Sequence, residues 1–263
     1  MNNFRSGFLD SIPPIVKNLL IINFIMWLAM EVSPNILGRF GYNGSLNDLI
    51  GLHYWGATKF NAVQFVTYMF MHGGFTHMFF NMFSLYMFGG LLEQLWGPKK
   101  FLFYYLITGI GAGLVQQIFW TIELQPVINA INQAMSTNSG EALLPVTDFL
   151  SQYFNFSDWT SLQTPAILDL KRQLLNGPIT VGASGSVFGL LLAFGWLFPD
   201  LKLMLLFFPV PIKAKYFVLM YGVAELFLGV ARFSGDNIAH FAHLGGMLFG
   251  AIMIIYWKKK KHI

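Results

Sequence analysis

The chain has 263 residues, 55% of them hydrophobic and only 11% charged, with a mean hydropathy of +0.56. A soluble domain of this size carries far more charge, so most of these residues belong in a bilayer. The net charge of +4 comes from dispersed basic residues that end in Lys258 to Lys261, a pattern of topology signals that argues against nucleic acid as a partner. The absence of cysteine excludes disulfides, iron–sulfur chemistry and thiol catalysis.

Six apolar stretches approach the roughly 20 residues that cross a hydrocarbon core. They cover residues 15–31, 75–96, 101–121, 181–198, 216–231 and 238–257. The first has no small-residue cleavage site and reads as a retained span. An outer loop follows, residues 32–74, rich in aromatics and ending in Gly73-Gly74, which predicts a segment lying along the membrane interface. A second, long outer loop over residues 122–180 is acidic, with short amphipathic helices expected around 128–135 and 166–175. A basic tail, residues 258–263, closes the chain. No repeat or low-complexity linker divides it, so a single domain over residues 1–263 is expected. Six spans leave both termini on one side. That side holds eleven of the sixteen Lys and Arg residues, and Arg39, Lys59, Lys171, Arg172 and Arg232 lie opposite, so the positive-inside bias puts both termini in the cytoplasm.

The second, fourth and sixth spans all start at the outer face and run inward. At about 1.5 Å per residue, Ser184 lies roughly 5 Å along its span, His77 a similar distance past Gly74, and Asn81 and His243 about 10 Å along theirs. Four polar groups thus share one layer, and polar groups inside spans are costly enough to count as functional by default. His77 and Asn81 are four apart, on one helix face. Amide hydrolysis needs a nucleophile, a base and oxyanion donors, and this layer supplies each. Ser184 attacks and His243 takes its proton, while His77, Asn81 and the backbone N–H of Ser184 hold the developing charge. Gly182 and Gly185 allow a tight turn and a close approach of substrate backbone. In sequence order no carboxylate falls near the layer: Glu93 sits toward the inner end of its span and Glu225 belongs to the fifth. A Ser–His dyad is therefore expected, with Phe188, four residues after Ser184, packing on the His243 ring.

At these residues the chain resembles the rhomboid intramembrane serine proteases. The resemblance is carried by His72, His77 and Asn81 with Gly89-xxx-Glu93-xxx-Gly97 on the second span, Gly182-Ala183-Ser184-Gly185 on the fourth, and Ala242-His243 with Gly246-xxx-Gly250 on the sixth. It implies an all-α membrane protein with a six-transmembrane-helix, rhomboid-like bundle, a nucleophile at Ser184, a base at His243 and an oxyanion hole involving His77 and Asn81. It further implies a water-filled cavity open to the outer face, no cofactor and no metal, with His72 in a supporting place. The implied activity is that of a serine endopeptidase acting on transmembrane segments of membrane-anchored proteins near the outer face, at small residues; its partners are those substrates and the lipid bilayer. The chain departs from the family in having Val63-Gln64 where an aromatic–arginine pair is common, Phe188 where some members have tyrosine, and a longer second outer loop.

Alternatives exist. His240, three residues before His243, competes for the role of base, although Leu244-Gly245-Gly246 follows His243 as in the family. A metal held by His72, His77, His240 and His243 would need a convergent carboxylate or an HExxH motif, and neither is evident in the sequence. A catalytically inactive rhomboid-like binding or escort factor would not need the four polar groups together. Gly89/Gly97 and Gly246/Gly250 read as helix-packing surfaces, Glu93 as a partner for loop or backbone groups near the inner surface, and Gln116 and Gln117 as interhelical hydrogen-bond partners. The fifth span and residues 232–237 are expected to move to admit substrate. The lack of a basic, serine-rich N-terminal extension points to a bacterial inner membrane.

Overall fold

The computed structural model describes residues 11–41, 44–205, 208–231 and 238–260. The expected substrate gate at residues 232–237 lies outside the described residues. The first helix, α1 (Pro14–Arg39), begins at Pro13-Pro14, where the missing proline N–H would have no intrahelical partner anyway. Its next two donors, the N–H groups of Ile15 and Val16, are taken by the buried Glu93 carboxylate at 2.9 and 2.8 Å. An acidic group at a helix N-terminus satisfies orphan donors and complements the dipole, so Glu93 has the backbone partner its position predicts. α1 also runs to Arg39, so the first outer stretch starts as helix and continues through the short helices Leu46–Ile50 and Gln64–Thr67.

The second long helix, α2, consists of an α segment (Phe75–Ser84), a π turn (Leu85–Gly89) and a further α segment (Gly90–Trp96). It stops at Gly97, whose φ of +77° is one that L side chains rarely adopt. A Cβ on Gly97 would meet nothing within 4 Å, so this glycine is a terminator and not the packing surface its spacing predicts. There follow α3 (Pro98–Thr137), α4 (Thr164–Asn176), α5 (Ser184–Leu197), α6 (Ala214–Ala231) and α7 (His240–Lys259). Four of them, α1, α3, α6 and α7, are long and apolar enough to cross a bilayer, and α5 is a shorter apolar helix. The protein is an all-α membrane protein. Among the described residues, strands are confined to two small two-stranded sheets, one a hairpin that sets Leu203 opposite Ile212 just before α6.

Contacts group the chain into two compact units, although composition draws no boundary between them. One comprises Met1–Gly51, Val63–Gln116 and Thr180–Ile263. In it α5 and α7 touch backbone to backbone: a Cβ built on Gly246 would lie 1.9 Å from the Gly185 carbonyl oxygen. Small residues let apolar helices approach this closely, and Gly250 lies against Gly189 one turn further along. Three buried hydroxyls pin the elements around α3. Tyr104 donates to the Gly189 carbonyl at 2.8 Å, Ser186 to that of Tyr105 at 2.7 Å, and Tyr68 to that of Gly109 at 2.6 Å. With water excluded from a bilayer core, each such pairing avoids an unsatisfied polar group.

The other unit comprises Leu52–Ala62 and Gln117–Ile179. The expected helix at 128–135 is the continuation of α3, which runs through the exposed Pro126, and the one at 166–175 is α4. Leu124, Val127, Ile131 and Ala134 recur on one face of α3 at spacings of three and four and pack with Leu143, Leu150, Ile167, Leu170 and Leu174. The acidic stretch therefore has a hydrophobic core of its own. Gln117 does not bridge helices as expected. Its amide donates to the His53 carbonyl at 2.6 Å and accepts from the Trp55 N–H at 2.8 Å, so it holds a segment of extended chain.

Candidate active site

The loop before α5 places Ser184 at the first turn of a buried helix. Gly182 makes that possible: its φ of +132° is one that L side chains rarely adopt, and its N–H donates to the Tyr68 carbonyl at 2.9 Å. A Cβ here would lie 2.8 Å from His77 Nε2 and 3.5 Å from Ser184 Oγ. The imidazole edge of His77 and the serine hydroxyl thus border one small space that only glycine leaves open. Gly185 has a different use from the one expected. It faces the Ala112 side chain and the α7 backbone, so it serves helix packing and not substrate approach.

His243 lies in the first turn of α7, buried, with Nε2 2.8 Å from Ser184 Oγ. Phe188 stacks on its ring at a centroid separation of 4.2 Å and an interplanar angle of 8°. At His77, Nδ1 accepts the Gly73 N–H at 3.4 Å, a long bond, and that role leaves the ring proton on Nε2, the nitrogen that faces Gly182. His72 is fully buried and meets the His77 ring edge-on, centroids 5.2 Å apart, which limits the tilt of that ring. Asn81 is buried one turn below His77, and no described residue accepts from its Nδ2. An unpaired buried donor costs about 1–3 kcal/mol, so its retention calls for a use.

The expectation of a dyad without a nearby carboxylate is overturned. Glu225 Oε2 lies 2.9 Å from His243 Nδ1 and 2.6 Å from His240 Nδ1, all three groups being buried. α6 runs antiparallel to α5 and α7, so a residue six positions before its end at Ala231 lies roughly 9 Å from that end, level with the first turns of α5 and α7. Sequence order hid this because α6 runs the opposite way from α5 and α7. The signal lay in the residue type, since a lone carboxylate in a span needs a partner and the histidines of the next helix were the available ones.

Glu225, His240 and His243 also offer three ligand atoms within 4.8 Å of one another, a different set from the four histidines considered above. Ligand atoms about 2.0–2.1 Å from a tetrahedral ion stand more than 3 Å apart; the separations of 2.6 and 2.9 Å here are those of direct hydrogen bonds.

Residues 59–123 and 127–260 match the Rhomboid domain. The chain belongs to the rhomboid family, whose members are multi-pass membrane proteins and for which intramembrane proteolysis is the implied activity. Among curated proteins it is similar to Rhomboid protein 1, mitochondrial, of Saccharomyces cerevisiae, at 32% identity over 58% of this chain and 42% of that one. It is 27% identical to the rhomboid protein YdcA of Bacillus subtilis over 37% of this chain and 46% of that one. To Rhomboid-like protein 11, chloroplastic, of Arabidopsis thaliana it is 30% identical over 48% of this chain and 42% of that one. The chain thus spans less than half the length of each of these relatives.

Proposed function

We propose that this chain is an intramembrane serine endopeptidase with Ser184 as nucleophile and His243 as general base. The observation that carries the reading is the 2.8 Å contact between Ser184 Oγ and His243 Nε2, inside a predominantly apolar bundle and with the imidazole held flat by Phe188. The serine hydroxyl donates to Nε2. As Oγ attacks a substrate carbonyl its proton passes to Nε2, and the tetrahedral oxyanion accepts hydrogen bonds from the Ser184 N–H, His77 Nε2–H and Asn81 Nδ2–H. The leaving amine takes the proton from His243, and water, activated by the same nitrogen, releases the acyl group. No metal or cofactor enters these steps.

Substrates in this reading are transmembrane segments of membrane-anchored proteins that unwind locally, since a helix in lipid keeps its carbonyls hydrogen-bonded and out of reach. Cleavage falls near the outer face, six spans cross the membrane and both termini are cytoplasmic. Because the native chain has no cysteine, single cysteines introduced at Lys259 and at Thr160 report topology without background. Labelling of Lys259→Cys by an impermeant reagent in intact cells would refute the orientation.

The decisive experiment incubates purified, lipid-supported protein with generic membrane-helix substrates and compares wild type with Ser184→Ala and His243→Ala. Cleavage by wild type alone is expected. Equal cleavage by Ser184→Ala, or client binding without any cleavage, would replace the reading with the escort role. Comparison of His240→Ala with His243→Ala assigns the base, and retained activity in the latter overturns it.

A further inference from the structure

We propose that Glu225 is a positioning residue for catalysis: an ionised carboxylate that fixes the His243 ring with its proton on Nδ1, and is itself aimed by His240. The inference rests on hydrolysis at Ser184 as the reaction.

Glu225 Oε2 lies within hydrogen-bond distance of two imidazole nitrogens, His243 Nδ1 at 2.9 Å and His240 Nδ1 at 2.6 Å. An oxygen paired with two N–H donors acts as an acceptor toward both, which is the behaviour of a carboxylate. With its Nδ1 proton given to Glu225, His243 presents a bare lone pair at Nε2, and that atom is 2.8 Å from Ser184 Oγ. The polarity is the one a general base needs. The opposite tautomer would put a proton on Nε2 and leave the serine hydroxyl with nowhere to send its own.

Three contacts then hold the ring, each limiting a different motion. Phe188 covers one face at 8° from parallel, Glu225 takes the Nδ1 edge, and Ser184 takes the Nε2 edge. Burial of a carboxylate is costly and is poorly justified by stability alone, since well-packed apolar residues commonly do as well. His240 explains how the charge is kept. It supplies a second donor to the same oxygen and lies one turn from His243 on the same helix, so both imidazoles approach Glu225 from one side. When Ser184 attacks, the proton moves from Oγ to His243 Nε2 and stops there. Glu225 stays ionised and stabilises the imidazolium across Nδ1.

The test uses the full chain in lipid nanodiscs with a membrane-helix substrate, measuring kcat and KM for wild type, Glu225→Gln and Glu225→Asp, with thermal unfolding in parallel. By analogy with removal of the carboxylate charge in a soluble triad, Glu225→Gln should lower kcat by about 10²–10⁴-fold while KM changes less than about threefold. Glu225→Asp should recover at least about tenfold over Glu225→Gln, because it restores the charge at a shorter reach. A merely structural ion pair predicts lost folding or raised KM instead. If wild type cleaves in a Ser184-dependent way and folded Glu225→Gln keeps kcat within about threefold, the assignment is wrong. Activity abolished by a chelator and restored by zinc would also overturn it, replacing the hydrogen bonds with a metal.

A second measurement does not depend on turnover. Nitrogen-15 resonances of histidine-labelled wild type, assigned by the loss of one signal in His243→Asn, report the tautomer directly. Protonation at Nδ1 supports the proposal, and protonation at Nε2 in wild type overturns it. If wild type cleaves nothing, the protease reading fails while this measurement still decides whether Glu225 sets the tautomer.

Discussion

Replacing Gly246 with alanine tests the geometry of the site without touching any group that reacts. A Cβ at this position would lie 1.9 Å from the Gly185 carbonyl oxygen, and both atoms belong to helix backbones that cannot turn aside as a side chain can. An ordinary carbon–oxygen contact needs about 3.3 Å, so α5 and α7 must separate locally by about 1.4 Å. Gly185 adjoins Ser184, and Gly246 lies one turn below His243 on the same helix. A displacement of that size would stretch the 2.8 Å contact between Ser184 and His243 toward 4 Å, beyond hydrogen bonding. Misplacement of reacting groups by about 1 Å costs on the order of 10²-fold in rate, and overpacking of this kind destabilises by about 1–3 kcal/mol. Gly246→Ala should therefore lower kcat at least about 10²-fold and reduce the thermal midpoint in a lipid-supported cleavage and unfolding assay. Gly222→Ala is the control, because its Cβ would meet only the flexible end of Met247 at 3.3 Å. A Gly246→Ala enzyme that unfolds at the wild-type temperature and keeps its rate within threefold would refute the reasoning.

Asn81→Ala should lower kcat by about 10²–10³-fold, the usual cost of one oxyanion donor. It should leave the unfolding midpoint unchanged or higher, because the lost Nδ2 has no partner among the described residues; a large loss of stability would argue that Asn81 is structural. Phe188→Leu removes the stack on His243 but keeps an apolar side chain. A ring contact worth about 0.5–1.5 kcal/mol predicts a kcat lowered roughly 2- to 10-fold, read in the same cleavage assay. Glu93→Gln retains shape but weakens the hydrogen bonds to the Ile15 and Val16 N–H groups. Thermal unfolding should register a loss of about 1–3 kcal/mol, with kcat nearly unchanged at low temperature.

The parts of this protein that its sequence reveals are those in which one helix carries the information. Spans follow from hydropathy, and counting residues along their helices puts Ser184 and His243 at one level, where the structure brings them into contact. The Ser184–His243 and Phe188–His243 contacts involve groups on α5 and α7 whose levels could be counted along two helices that run the same way. Glu225 escaped because α6 runs the other way, so its level has to be counted from the end of the helix. The core formed by Leu124, Ile131, Leu143 and Ile167 escaped for another reason: apolar periodicity continues unbroken past the point where α3 leaves one unit for the other, and Pro126 on the exposed side does not end it. Gln117 was misjudged because a glutamine in an apolar helix has many possible acceptors, and only the folded chain brings His53 and Trp55 to it.

The π turn at Leu85–Gly89 has a consequence for how α2 shares its duties. Asn81 and Glu93 are twelve positions apart, which in an uninterrupted α-helix would set them about 120° out of phase, so that one of them would point away from the bundle. One residue absorbed by the wide turn leaves an effective eleven steps, a phase difference of about 20°. Asn81 and Glu93 are accordingly both buried. A single surplus residue thus lets one helix turn the Asn81 amide into the bundle at one end and clasp the start of α1 at the other, and excising it would force the helix to choose between the two.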